Sequence, residues 1–130
     1  MNRINKTFFS LAIECKYVDC FVSDGMLTSA NYPNDYDSNT ADTWLITAPV
    51  GQTVSIHFVD FFLENNDCFS DYVILYDGDS RSDPRIGDTK YCDINSPRCQ
   101  ETSSNNLLVN FTSNSVNNCR GFSAKFYVGG

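Results

Sequence analysis

A chain of 130 residues is most economically one domain, long enough to bury a sizeable core. Its ten Phe and seven Tyr exclude a disordered chain. A net charge of −7 with scattered Lys and Arg excludes a nucleic-acid partner, which needs clustered basic residues; the same charge suits a solvated surface, a bound cation or a basic protein partner.

No apolar run is long enough to span a membrane. In Met1–Glu14 the apolar part, Phe8 to Ile13, is short and broken by Ser10. Residues 1–14 are therefore read as an N-terminal extension or remnant signal segment, and 15–130 as a single domain. Cys15 and Cys20 are close enough for a small local loop. Ser23-Asp24-Gly25 is turn chemistry, and Met26-Leu27-Thr28 is strand-like. Residues 31–39 form an ordered loop rich in turn formers, and Tyr32 and Tyr36 suggest that it packs on something.

Thr43 to Ala48 reads as a strand carrying Trp44, broken by Pro49-Val50-Gly51. From Thr53, Val54, Ile56 and Phe58 alternate with Ser55 and His57, a half-buried antiparallel strand with His57 on its outward face. Tyr72 to Tyr76, β-branched and aromatic, is a strand closed by the Asp77-Gly78 turn. After a polar loop, Asp79 to Pro84, the piece from Ile86 to Tyr91 is strand-like and ends at Cys92. Asn95-Ser96-Pro97 turns the chain, Cys99 to Thr102 is a short strand, and residues 103–106 turn again. Leu107, Val109 and Phe111 alternate with Leu108, Asn110 and Thr112. A polar loop from Ser113 to Arg120 holds Cys119. In the last strand, Gly121 to Val128, Phe122, Ala124, Phe126 and Val128 oppose Ser123, Lys125 and Tyr127. No segment keeps a helical period, so the fold class is all-β, an antiparallel sandwich or barrel.

Six cysteines without a Cys-x-x-Cys, and a single His57, exclude a zinc site and favour three disulfides in an oxidising compartment. Asn5-Lys6-Thr7 and Asn110-Phe111-Thr112 are candidate glycosylation sequons, in keeping with a secreted, extracellular chain. The stretch from Phe61 to Gly78 places Glu64, Asp67 and Asp71 in the loop between two strands. Carboxylates so close repel one another unless a cation or solvent screens them, and hard oxygen ligands in a loop suit Ca²⁺.

Catalytic readings find little support. No nucleophile elbow stands near His57, and there is no His-Glu-x-x-His, phosphate loop or dinucleotide fingerprint. Glu64 with Asp71 is the one carboxylate pair suited to glycoside cleavage, and a small sandwich loop offers little cleft for a sugar.

An ordered set of residues runs from about residue 20 to the end. It comprises Gly25-Met26-Leu27-Thr28-Ser29-Ala30-Asn31-Tyr32-Pro33, Tyr36, Trp44, Pro49-x-Gly51, Phe58-x-x-Phe61-x-Leu63-Glu64 and Cys68-x-x-Asp71-Tyr72-Val73. It continues with Asp77-Gly78, Cys92, the Asn106 to Val109 segment, Phe111-x-Ser113 and Gly121-Phe122-x-Ala124. In this order they resemble the CUB domain. The resemblance implies a jelly-roll-like sandwich of two antiparallel sheets and a Cys68–Cys92 disulfide. The family often has Cys two positions before the tryptophan, where this chain has Asp42, so the usual N-terminal disulfide is absent. Cys15–Cys20 and Cys99–Cys119 are the inferred replacements.

By position, the resemblance also implies a Ca²⁺ site built from Glu64 and Asp71 and supported by Tyr36. Asn114 stands where the family has a third acid, and Asn117 or Asn118 could help. In the family this end receives a basic side chain of a protein partner, usually Lys. The implied binding surface lies on loops 34–38, 64–71 and 113–120, and the partner is an extracellular protein with an exposed Lys or Arg. The alternatives are a carbohydrate-binding module, as in the spermadhesin branch, with exposed Tyr and Trp for stacking, or a structural or regulatory piece of a larger secreted protease or receptor.

Overall fold

The computed structural model describes residues 2–4, 24–87, 90–115 and 119–129. Cys15, Cys20, Asn5, Asn117 and Asn118 lie outside them. The strands are β1 (Asn2–Ile4), β2 (Gly25–Thr28), β3 (Ala41–Thr47), β4 (Thr53–Phe62), β5 (Tyr72–Asp77), β6 (Cys99–Glu101), β7 (Asn106–Thr112) and β8 (Gly121–Gly129). They form two four-stranded sheets, ordered β1-β3-β7-β5 and β2-β8-β4-β6. The pairings are antiparallel except β1 with β3, where Asn2–Ile4 runs parallel to Trp44–Ile46.

Alternation explains the core. Val54, Ile56 and Phe58 of β4 and Phe122, Ala124, Phe126 and Val128 of β8 face Trp44, Ile46, Val73, Leu75, Leu107, Val109 and Phe111 of the other sheet. Phe122 sits at the centre, with Trp44, Phe58 and Phe111 edge-on at centroid distances of 5.3 to 5.7 Å. The register shifts between Phe58 and Asp60. One extra residue there lets both Phe58 and Phe61 point inward although they are three positions apart.

One expectation changes. Ile86 to Tyr91 does not form a strand among the described residues. Tyr91 exchanges backbone hydrogen bonds with Val73, and the Ile86 N–H donates to the Leu75 carbonyl, so the described residues of this segment border β5 through separate contacts. The outward face of β7 is also buried. Leu108 packs with Leu45, Ile74 and Tyr76 in a second apolar cluster on that face of the sheet. Being central, with β3 on one side and β5 on the other, β7 is buried on both faces.

Candidate functional site

Three loops meet at one end of the sandwich, joined by backbone and side-chain hydrogen bonds. The Tyr36 N–H donates to the Cys119 carbonyl at 3.1 Å, and the Asn39 N–H donates to the Asn114 carbonyl at 2.6 Å. The Ser113 hydroxyl donates to the Asp37 carbonyl at 2.8 Å. These contacts join the segments around 34–39 and 113–119, and bonds from Tyr36 and Asn114 to Asp71 and Glu64 bring in 64–71; residues 116–118 lie outside the described residues.

The acidic loop is shaped by Asn66, a residue that sequence reasoning passed over. Its Oδ1 accepts the backbone N–H groups of Phe69, Ser70 and Asp71 at 3.2 to 3.4 Å. Asp67 and Cys68 between them take positive φ of 57° and 59°. An Asn side chain that mimics a turn's acceptor is the local signal that could have found it. The Cys68–Cys92 disulfide, Cα–Cα 5.3 Å, ties this loop to the turn at 92–95.

Asp71 is fully buried. Its Oδ2 accepts from the Tyr36 hydroxyl at 2.6 Å. Its Oδ1 accepts from Asn66 Nδ2 at 3.1 Å and from the Asn114 backbone N–H at 3.0 Å. Tyr36, 1% exposed, packs edge-on to Phe111. Burial first, then the hydrogen bond to Asp71, raises the Tyr36 phenol well above its usual range, so it remains a donor. The same hydroxyl accepts the Glu64 backbone N–H at 3.0 Å. The Tyr36 hydroxyl therefore supports Glu64 by accepting its backbone N–H and donates a hydrogen bond to Asp71, where the resemblance implied support of the glutamate alone. Asn114 Nδ2 donates to Ser70 Oγ at 2.9 Å, so Asn114 reaches the site by donating as well.

Glu64 Oε2 is buried and has no hydrogen-bond partner among the described residues. A buried carboxylate oxygen is costly when unsatisfied, and a hard cation would satisfy it. Among the described residues there is no group of three or more His, Cys, Asp or Glu placed to hold a metal. Of the expected acids, Glu64 and Asp71 share this loop end, and further oxygens for an ion would come from backbone carbonyls, amides or water.

A second polar knot ties the neighbouring edge. Asp60 accepts from the Tyr32 hydroxyl at 2.6 Å and from Arg120 through Nε at 2.7 Å and a second guanidinium nitrogen at 2.8 Å. The bidentate Arg120 contact, with help from Tyr32 and against burial, lowers the Asp60 carboxyl to about 2. Both tyrosines of loop 31–39 thus pack as expected.

Other sequence expectations fare differently. Cys99 is disulfide-bonded, and strand register parts it from Cys119, which is buried. Cys99 pairs with His57 on β4, whereas Gly121, two residues after Cys119, pairs with Phe62. Those β4 positions are five residues, about 16 Å, apart, and a disulfide needs Cα atoms within about 7 Å. Asn110 is 6% exposed in central β7. Its Oδ1 accepts from Arg81 at 3.0 Å and from the Thr43 hydroxyl at 3.3 Å. That sequon has no room for a glycan on the folded chain. His57 is half-buried on the outward side of β4, and its Nδ1 has no partner among the described residues. Trp44 is a core residue and offers no stacking face to a sugar. No helix among the described residues is long and apolar enough to cross a membrane.

A family model described as CUB domain matches residues 15–126. The chain is 40% identical to cubilin of Rattus norvegicus over 117 residues, covering 86% of this chain and 3% of that protein. It is 38% identical to a bone morphogenetic protein 1 homolog of Strongylocentrotus purpuratus over 104 residues, 79% of this chain and 16% of that protein. The full extracellular region of zebrafish Gpr126/Adgrg6 superposes with a TM-score of 0.72 at 28% identity, covering 98% of this chain and 14% of that one. The chain therefore spans a small fraction of each of these longer proteins.

Proposed function

This chain belongs to the CUB family, and on that premise we propose that it is a non-catalytic extracellular module that binds a protein partner through its acidic loop end, with Ca²⁺ ordering the site. The observation that carries the reading is Glu64 Oε2, buried without a hydrogen-bond partner among the described residues, beside an end where Asp71 is also sequestered. Glu64 and Asp71 would hold the ion, with loop oxygens completing its shell. When bound, Ca²⁺ supplies positive charge that offsets the two buried carboxylates and fixes the loops, while Asp35, Asp37 and Asp67 keep this end anionic.

What the chain's own residues do follows from the hydrogen bonds. Tyr36, Asn66 and the Asn114 N–H hold the Asp71 carboxylate in one orientation. The disulfide Cys68–Cys92 and the Asn66 turn hold the loop in one shape. A preorganised anionic end meets a lysine or arginine of the partner with little ordering cost. The disulfide supports an oxidising, extracellular setting.

Thermal melting in 2 mM Ca²⁺, a value on the order of extracellular levels, and in EDTA tests the reading. The expected result is a higher melting temperature with Ca²⁺, by mass action on the folded state, and loss of that shift in Glu64→Gln. Equal melting temperatures in Ca²⁺ and EDTA would refute the metal site.

A further inference from the structure

Two large apolar side chains stand in solvent on either side of the Cys68–Cys92 disulfide. Phe69, next to Cys68, is 85% exposed, and Ile94, two residues after Cys92, is 63% exposed. The cysteine Cα atoms are 5.3 Å apart, so the bond sets the two turns side by side. Each turn is held by its own hydrogen bonds. The Phe69 N–H is taken by Asn66, the Asn95 N–H donates to the Cys92 carbonyl, and the Leu63 N–H donates to the Asp93 carbonyl.

A single exposed apolar residue is ordinary. A phenylalanine and an isoleucine displayed together on stapled turns differ, because little backbone freedom is left to lose when they are covered. Rigid, centrally placed aromatic anchors dominate binding energy at protein interfaces. The rim carries more acid than base: Asp67 and Asp93 flank the pair in sequence and Asp35 and Asp37 lie on the adjoining loop, against Arg98 and Lys90, whose ammonium lies over the Tyr72 ring at 4.2 Å.

We propose that Phe69 and Ile94 form the apolar half of a docking surface whose other half is the acidic loop end, and that the partner is a protein segment carrying apolar side chains beside a lysine or arginine. This rests on the reading above. Charge complementarity selects the occupant. The same rim repels anionic lipid headgroups, and a second copy of this chain would bring like charges to the contact.

The test uses two synthetic peptides that differ only in the residues flanking one lysine, Leu-Lys-Leu against Ser-Lys-Ser, titrated calorimetrically in Ca²⁺. Wild type is expected to bind the leucine peptide at least tenfold more tightly. Phe69→Ser with Ile94→Ser, both exposed sites, is expected to erase that preference while the Ca²⁺-dependent melting shift stays unchanged. Equal affinities, no binding by either peptide, or a preference that survives the double substitution overturns the proposal. So does vesicle binding (phosphatidylcholine with phosphatidylserine) or self-association that the double substitution abolishes, since the surface would then belong to lipid or to a second copy. Ca²⁺-dependent binding of the serine peptide, lost in Glu64→Gln and with no gain from leucine, refutes the apolar half and leaves the metal-site reading standing. Absence of any Ca²⁺ effect on melting refutes that reading instead.

Discussion

Replacing Tyr36 with Phe removes one oxygen atom and leaves the ring edge-on to Phe111. That oxygen donates to buried Asp71 at 2.6 Å and accepts from the Glu64 N–H at 3.0 Å. A hydrogen bond to a charged group contributes about 1.5–3 kcal/mol, and a stranded buried donor costs about 1–3 kcal/mol. The two share one atom, and some relaxation of the loop is expected, so the net loss is about 2–4 kcal/mol. For a domain of this size that lowers the melting temperature by roughly 10 °C. Urea unfolding of wild type and Tyr36→Phe at pH 7 measures it, with equal m-values showing that the folded state is otherwise intact. The pH dependence adds a second check. The unfolded phenol ionises near its ordinary 10.0, while burial and then the Asp71 bond push the folded one higher. The Tyr36 contribution is therefore complete below pH 10 and declines as pH rises past it. Tyr36→Phe has no such decline, so the gap between the two proteins narrows above pH 10. A variant within about 0.5 kcal/mol of wild type at pH 7, or a gap that widens in alkali, refutes the assignment of Tyr36 as the keystone of this end.

Two further outcomes follow from the same geometry. Burial disfavours the Asp77 charge, but the N–H and hydroxyl groups of Ser103 and Ser104 outweigh it and lower the carboxyl from 3.8 to about 2. A depressed carboxyl contributes stability that is present above the unfolded 3.8 and lost as pH falls through about 2. Asp77→Ala should therefore cost about 2 kcal/mol at pH 6 and much less at pH 2.5 in denaturant melts, and a pH-independent difference would contradict it. Replacing Cys68 and Cys92 together with Ser opens a link with a sequence separation of 24; chain entropy puts the loss near 3 kcal/mol, read as a lower urea midpoint, and an unchanged midpoint counts against the staple.

The strands and the inter-sheet core were legible because alternation is a local property. Val54-Ile56-Phe58 and Phe122-Ala124-Phe126-Val128 each state their buried face without reference to any partner. The Tyr72 strand and the Asp77-Gly78 turn were equally local. The second apolar cluster at Leu45, Ile74, Tyr76 and Leu108 was not, because a strand reads as two-faced only once its place at the centre of a sheet is known. Disulfide pairing divides the same way: the resemblance carried Cys68–Cys92, while the five-residue offset along β4 that parts Cys99 from Cys119 is a matter of register.

By itself, the sequence determined an all-β chain with an acidic loop containing Glu64 and Asp71, and its ordered motifs placed it in the CUB family. Only the tertiary structure decided what each polar group of that loop does. Asp71 meets Tyr36 across 35 positions and Asn114 across 43, and no local pattern specifies which oxygen accepts which proton at such separation. It likewise decided that Asn66 shapes the loop, that Asn110 is buried in the fold, and that Glu64 keeps one buried oxygen unpartnered among the described residues. Those outcomes depend on which strands become neighbours, and strand neighbours are settled by burial of the whole core rather than by any segment alone.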